Sequence, residues 1–394
     1  MSSRTRRRLP TYSSQDGSVA YQGKHRNTGK HPVIRAVAIS TALVLAVLAG
    51  TVVLTYRHLE GNITESQAFD NILSERPEQE EVEGPKEPLN VLVLGSDSRQ
   101  GQTDVLGQTP GLSDTTILLH LSADRSRAYG VSIPRDLMVP RPACKARAGG
   151  TVPAQQIVQW NDAFAVGGEA CTVAQFEKMS DLRVDHFVIV NFNGFESMVD
   201  ALGGVPICVP TDVNDPIGKI YLSAGTYTMD GKQALDYVRV RHSIGSQDTG
   251  DIGRMKRQQT FMASMVNKAL SSSTLFNPVR LGRFLNAATE SLTTDPGLRN
   301  LNSLYSLAQE MKGIGLDKVQ FLSVPFGPYA PDPNRLGLLP TADRLWDEIR
   351  EDQALSPEFL KKATKASEGK PGDGKGEPKT EAEKEEAALN GLCA

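Results

Sequence analysis

The residues best suited to holding an anion lie between Leu235 and Gln259, in the stretch LDYVRVRHSIGSQDTGDIGRMKRQQ. Its opening run is strand-like or helical and brings in Arg239 and Arg241. A loop of Gly, Ser, Asp and Thr follows, and a helix is predicted to restart at Asp251 or Ile252. Arg254, Lys256 and Arg257 then fall within its first two turns. Basic side chains sit unfavourably at the positive end of a helix dipole, and the first backbone N–H groups there need acceptors. A phosphate lying against that helix end relieves both problems. The alternative is a solvated basic face with Asp251 as a simple N-cap.

A second set of candidates lies upstream. LNVLVLG, residues 89–95, is an apolar run closed by glycine and reads as a buried strand. It delivers Asp97 and Arg99 at its carboxyl end, the edge where open α/β sheets bind ligands. Ser113, Asp114 and Thr115 open a second strand over 116–121, and a third, 127–133, runs into Pro134, Arg135 and Asp136. A lone aspartate at a strand end is usually a turn residue. Carboxylates and arginines together at successive strand ends point instead to a metal and a phosphate. Magnesium is the matching ion, because it takes one or two carboxylates and lets substrate phosphates complete its shell. The spacing is not that of a Walker A loop.

The elements that would position these residues follow a membrane anchor. From the N-terminus to Arg35 the chain carries Arg4, Arg6, Arg7, Arg8, Lys24, Arg26, Lys30 and Arg35 against Asp16 alone. Residues 36–56 then carry no charge, matching the roughly 20 apolar residues that a helix needs to cross a bilayer. The apolar core of a cleavable signal peptide is shorter. The basic flank places residues 1–35 in the cytoplasm and everything after residue 56 outside, so it needs no nucleic acid to explain it. Residues 57–88 read as a juxtamembrane segment and an acidic, proline-bearing linker. The folded domain is expected over 89–350, followed by a Lys/Glu/Gly/Ala-rich low-complexity tail over 351–394.

Within the domain, strands are expected over 186–191, 205–209 and 319–324. Helices are expected over 172–180, 194–202, 276–292, 298–312 and 341–350. His186 has no metal-spaced companion and reads as structural. The cysteines Cys144, Cys171, Cys208 and Cys393 all follow the span, where an exterior setting favours disulfides. Three connectivities are possible. Cys144–Cys171 is favoured, as a staple of the insertion between the Arg135 strand end and the His186 strand, which leaves Cys208–Cys393 to tie down the tail.

Six blocks, NVLVLGSDSR, GLSDTTILL, VSIPRD, NDAFAVGG, DHFVIVNFNGFESMVDALGGV and QALDYVRVRH…DIGRMKRQQ, resemble in order those of the LytR–CpsA–Psr proteins. The cysteines and the GGVPICVP wording resemble the actinobacterial type. The resemblance implies an α/β fold, a mixed central sheet with helices on both faces. It also implies an extracytoplasmic phosphotransferase that moves a glycopolymer from a polyprenyl-pyrophosphate carrier to peptidoglycan, with magnesium. Asp97 and Asp114 would then serve the metal. Arg99, Arg135, Arg239, Arg241, Arg254 and Arg257 would hold the pyrophosphate, supported by Gln258. Asp251 would act as base or orient an arginine, with Arg135 and Arg254 taking part in catalysis. The glycopolymer stays open among arabinogalactan, teichoic-acid-like polymers and capsule.

Phosphoryl transfer asks mainly for positioning and charge neutralisation, to which planar, permanently charged arginine is suited. The isoprenoid tail needs an apolar groove, expected between the helices 194–202 and 252–270, where Met255, Met262, Val266 and Ala269 form a stripe. Core packing is the competing fate of that stripe. Two other functions compete with the transferase: a pyrophosphatase using water at the same site, and a membrane-bound regulator using the basic tail on DNA. The tail carries no helix-turn-helix pattern.

Overall fold

Strands buried on both faces organise this chain, as expected where a sheet is covered on each side by helices. The computed structural model describes residues 32–96, 112–209, 212–241, 250–361 and 363–369. The chain divides into two units, residues 1–53 and 54–394. Pro32–Asn62 is one helix, α1, long and apolar enough over Val33–Asn62 to cross a membrane.

In the second unit, β1 (Thr64–Glu65), β2 (Leu89–Ser96), β3 (Ser113–Leu121) and β4 (Ala128–Ile133) come first. Helix α2 (Asp162–Ser180), β5 (His186–Asn191), α3 (Phe192–Ala201), α4 (Gly231–Arg239) and α5 (Gly250–Leu270) follow. Then come α6 (Pro278–Ser291), β6 (Leu292–Thr294), α7 (Leu301–Ile314), β7 (Val319–Ser323), α8 (Thr341–Arg350) and β8 (Thr364–Lys365). The eight strands form one mixed sheet in the order β1-β6-β5-β2-β3-β4-β7-β8. β5 is parallel to β2, and β7 to β4, while β3 runs antiparallel between β2 and β4. The α/β sheet with helices on both faces is therefore as the sequence implies. β4 is buried at every position, and Gly130 within it lets Phe321 of β7 approach: a Cβ there would lie 2.5 Å from the Phe321 ring.

One face of the sheet packs Leu92, Leu94, Leu118 and Phe187 against Phe164 and Phe176 of α2 and Trp346 of α8. Burying each such side chain contributes about 1.5–3 kcal/mol. The other face meets α5 and α7 through Ala263, Met262 and Ile314. A further core joins α3, α4 and α5 to the hairpin Val205–Val209/Gly225–Met229 around Ile207, Leu235, Tyr237 and Phe261. The helices start on residues chosen for it. Asn191 caps α3 by accepting from Gly194 N at 2.7 Å, and Asp230 with Gln233 forms a capping box on α4. The ambiguous run before Arg239 is thus helical, since the box fixes its start at Gly231.

Two expected boundaries move. The domain does not wait for Leu89: Ala68 is in the core, Phe69 packs edge-on against Phe187, and Arg76 pairs with buried Glu177. Apolar anchors at 68 and 69 outweigh the polar composition that reads as a linker. Nor does the fold end at residue 350. Phe359 and Ala366 are buried, and β8 pairs antiparallel with β7. Asp352 accepts from Ala123 N at 2.9 Å and faces His120 Nε2 and Arg127 Nη2 at 3.3 and 3.1 Å. Burial raises its carboxyl, but those hydrogen bonds and the Arg127 charge outweigh it and hold it below the usual range.

Cys144 and Cys171 are bridged, with Cα atoms 5.4 Å apart. Cys208 is also disulfide-bonded; its expected partner Cys393 lies outside the described residues. His186 Nδ1 meets Asp295 Oδ1 at 2.9 Å, a structural contact as expected. The Cys144–Cys171 bridge closes 27 residues, and removing it should cost about 3 kcal/mol. Peptide mapping without reductant should recover the two residues in one cross-linked fragment; a free thiol at either would remove this staple.

Candidate active site

The topology gathers the carboxyl ends of β2, β4, β5 and β7 along one edge, together with the amino end of the antiparallel β3. Asp114, second residue of β3, therefore faces the exit of β4, where Pro134 ends the strand and Arg135 follows. Arg135 Nη1 donates to Asp114 Oδ1 at 2.9 Å. Arg241, just past α4, reaches the same oxygen through Nη2 at 3.4 Å. Two guanidiniums from distant parts of the chain thus converge on one half-exposed carboxylate. Arg135 also pairs through Nε with Asp136 Oδ2 at 3.3 Å, and Asp136 is held in turn by Arg335 at 3.1 Å and by Gln159.

Helix α5 lies across this edge. Buried Gln259 donates to Ser132 Oγ at 3.1 Å and Ser323 Oγ at 2.9 Å, at the ends of β4 and β7. Arg257 donates to Val240 O at 2.6 Å and Gln258 to Val238 O at 3.3 Å. These bonds fix the backbone that carries Arg241. The Arg241 N–H itself donates to Asp215 Oδ2 at 3.1 Å. Asp215 is buried, and its other oxygen takes the N–H groups of Ile217 and Gly218.

Beside the charged cluster an apolar cleft opens. Its sheet wall is Val93, Gly95, Thr115, Ile117 and Val190, and its helical walls include Phe192, Phe195, Met198, Met262 and Met265. Thr115, next to Asp114, and Gln258 connect the two regions. Arg239 is exposed and stacks 4.2 Å over the Phe192 ring, whose side chain lines the cleft. The chemistry available is therefore a set of fixed cations beside an apolar slot, suited to a phosphate ester bearing a hydrocarbon chain.

The sequence-derived residues divide accordingly. Asp114, Arg135 and Arg241 meet, Arg239 flanks the cleft, and Gln258 lines it. Asp97 and Arg99 lie outside the described residues, as does the side chain of Asp251, a residue of the first turn of α5. Arg254 is the fifth residue of α5. It is 2% exposed, because α5 begins at Gly250 and its amino-terminal half is drawn inward onto the strand ends. Arg257 is similarly buried and serves the Val240 carbonyl. The groove lies between α3 and α5 as expected, and the stripe divides between its two expected fates: Met262 lines the cleft, whereas Met255 is buried and Val266 and Ala269 pack into cores. The lining partners Phe192, Phe195 and Met198 were not singled out, although their spacing of three along α3 displays them on one face. Asp215 was missed as well; only the turn-forming run NDPIG signals it.

A divalent cation can be weighed against this donor set. No cluster of three or more His, Cys, Asp or Glu suited to a metal occurs among the described residues. Asp114 commits Oδ1 to two arginines, so it offers Oδ2 to a cation. One carboxylate oxygen fits magnesium only if substrate phosphates or a second carboxylate supply other ligands, which is compatible with the expected pair Asp97 and Asp114.

The model of the LytR_cpsA_psr family matches residues 55–335. The chain is 32% identical over 263 residues to the cell wall biosynthesis protein LcpA of Corynebacterium glutamicum, covering 60% of this chain and 49% of that protein. It is 32% identical over 201 residues to the polyisoprenyl-teichoic acid–peptidoglycan teichoic acid transferase TagT of Bacillus subtilis, covering 50% of this chain and 57% of that one. The chain thus spans about half the length of the curated relatives it matches. In fold it is similar to a LytR-Csp2A-Psr enzyme from Actinomyces oris, with TM-score 0.52 at 21% identity over 74% of this chain and all of that one. It is also similar to the structure of TagT bound to LIIa-WTA, with TM-score 0.51 at 24% identity over 72% and 99% of the two chains. The ordered sequence blocks, the mixed sheet and the family match over most of the second unit agree: the chain belongs to the LytR_cpsA_psr family.

Proposed function

We propose that this chain is a membrane-anchored phosphotransferase of cell wall assembly. It moves a glycopolymer from a polyprenyl-pyrophosphate carrier onto peptidoglycan, forming a phosphodiester. The observation that carries the reading is the convergence of Arg135 and Arg241 on Asp114 beside an apolar cleft. The relatives' names supply the polymer and acceptor classes. The cleft takes the isoprenoid chain, and the arginines take the pyrophosphate oxygens. A peptidoglycan hydroxyl attacks the phosphorus next to the glycopolymer, and the bond from that phosphorus to the bridging oxygen breaks. Polyprenyl phosphate leaves with the electron pair, while the hydroxyl proton passes to a base, for which Asp251 is our candidate. Fixed guanidiniums stabilise the charge that develops. Magnesium, held by Asp114 and Asp97, would supply further charge neutralisation.

α1 anchors the domain in the cytoplasmic membrane, with residues 1–35 inside and the catalytic unit outside, beside the leaflet where the lipid carrier presents its pyrophosphate. A transfer assay with a lipid-pyrophosphate sugar donor and peptidoglycan oligomers tests the reading. A covalent phosphodiester product is expected, and release of sugar phosphate alone would favour a pyrophosphatase. Asp114→Asn should need more magnesium for half-maximal turnover and reduce the rate by about 10²-fold, as for other charge-stabilising groups. An unchanged magnesium titration and rate in this variant would remove Asp114 from the site.

A further inference from the structure

The start of α6 presents apolar side chains to the outside. Phe276, two residues before the helix, is 84% exposed, and Val279 in its first turn is 61% exposed. Arg280 and Arg283 lie beside them, and Arg280 Nη1 donates to Ser273 O at 3.1 Å, tying the Phe276 segment to the helix. Val279, Arg283 and Asn286 share one helix face by their spacing of four and three.

That face also locates the patch relative to the carboxyl end of α1, which belongs to the same unit. Asn286 Oδ1 meets His58 Nε2 at 3.2 Å and Asn62 Nδ2 at 3.3 Å, and Thr289 Oγ1 accepts from Asn62 Nδ2 at 3.3 Å. The partners advance together, residue 58 with 286 and residue 62 with 289, so α6 runs parallel to the end of α1. At 1.5 Å per residue, Val279 then lies about 10 Å from Asn286 toward the Leu54 end. That end continues into the apolar stretch. Tyr56, Arg57 and His58 are the first residues after it able to mark the lipid–water boundary. The patch therefore lies toward the end of the second unit at which the chain enters the apolar stretch. The charge order agrees: Arg280 and Arg283 sit at the Leu54 end of α6, and exposed Glu290 at the far end.

We propose that residues 276–283 form a second membrane contact. Phe276 and Val279 insert at the headgroup–acyl boundary, and Arg280 and Arg283 engage lipid phosphates. The composition is that of an interfacial helix with basic residues at the lipid surface. A single helix leaves a domain free to swivel about its anchor. A contact of this kind adds a second point and sets the catalytic edge at a fixed height over the leaflet. The inference rests on α1 being a membrane anchor and is independent of the reaction assigned to the site.

The test uses the full chain reconstituted into phosphatidylglycerol-containing vesicles. Its own Trp160 and Trp346 are buried, so Phe276→Trp adds an indole that reports on the patch, and Val279→Trp is a second reporter should the first disturb folding. Insertion by about 5–10 Å should let lipids brominated on the upper acyl chain reduce the added emission to about half or less. Adding Arg280→Glu and Arg283→Glu should restore it. Vesicle flotation with the reporters quenched by aqueous iodide and not by brominated lipid would overturn the contact while leaving the anchor. Failure of the wild-type chain to float would overturn the anchor and the contact together.

Discussion

Arg135→Ala is expected to lower the rate of phosphodiester formation by about 10²–10³-fold and to leave Tm within a few degrees of wild type. The two effects separate because of how the side chain is held. Arg135 is partly open to solvent at 21%, placed past the end of β4 and not within the core. When it is removed, Asp114 keeps Arg241, and Asp136 keeps Arg335 and Gln159. No carboxylate is stranded, so the loss in stability should be that of a partly exposed ion pair, about 1 kcal/mol or less. The transfer step feels the change differently. Negative charge shifts among the phosphate oxygens as the bridging bond breaks, and a cation already fixed by Asp114 and Asp136 needs no reorganisation to meet it. Removing such a fixed donor costs about 3–4 kcal/mol in the transition state. Arg135→Lys should recover part of the rate, because an ammonium keeps the charge but loses the planar two-pronged contact. Steady-state transfer rates and thermal melts on the same preparations decide the matter. A large fall in Tm with near-normal turnover would make Arg135 a structural residue.

What was legible in the sequence follows the same division between strand ends and tertiary burial. Asp114 and Arg135 were found because an apolar run that stops at Gly95, Ser113 or Pro134 declares a strand end, and strand ends in α/β sheets are where ligands sit. Arg241 was found from its basic neighbourhood, but its partner was not. Only the antiparallel course of β3 between β2 and β4 brings Asp114 under both arginines. Arg254 shows the opposite case. Local pattern placed it in the first turns of a helix but said nothing of its burial, which follows from Gln259 bonding to Ser132 and Ser323 and pulling that part of α5 onto the sheet edge. A pattern of charges along one helix carries no information about a neighbour more than a hundred residues away in sequence. The cleft was half legible: α5 offered several methionines with equal claim, and the sheet decided which of them faces Phe192 and Phe195.

Arg76 is the residue whose role was least visible, and Arg76→Ala should have the largest effect on stability. Its surroundings, RPEQEEVEGPKEP, have the composition of a linker. Yet Arg76 meets Glu177 in a two-pronged pair, with Nε 3.1 Å from both carboxylate oxygens and Nη2 2.6 Å from Oε1. The same guanidinium donates to Val184 O, and Val184 N donates to Glu177 Oε1 at 3.0 Å. Its plane also lies 4.5 Å from the centre of the Phe69 ring. Glu177 is only 2% exposed, so alanine at 76 leaves a buried carboxylate with no countercharge from that residue. Breaking such a pair costs about 3–5 kcal/mol, and Tm should fall by on the order of 10 °C. Arg76→Lys should recover less than half of the loss, since it keeps the charge without the fork. Replacing both Arg76 and Glu177 by methionine should be milder than Arg76→Ala alone, because no charge is then stranded. Turnover measured well below the transition should be unchanged in all these variants. The pair lies at the amino end of β5, and the reacting groups lie about a strand length away, roughly 15–20 Å at 3.3 Å per residue. Calorimetry of Arg76→Ala that shows a transition within about 2 °C of wild type, a shift of under 1 kcal/mol at this size, would return residues 76–88 to the status of a linker.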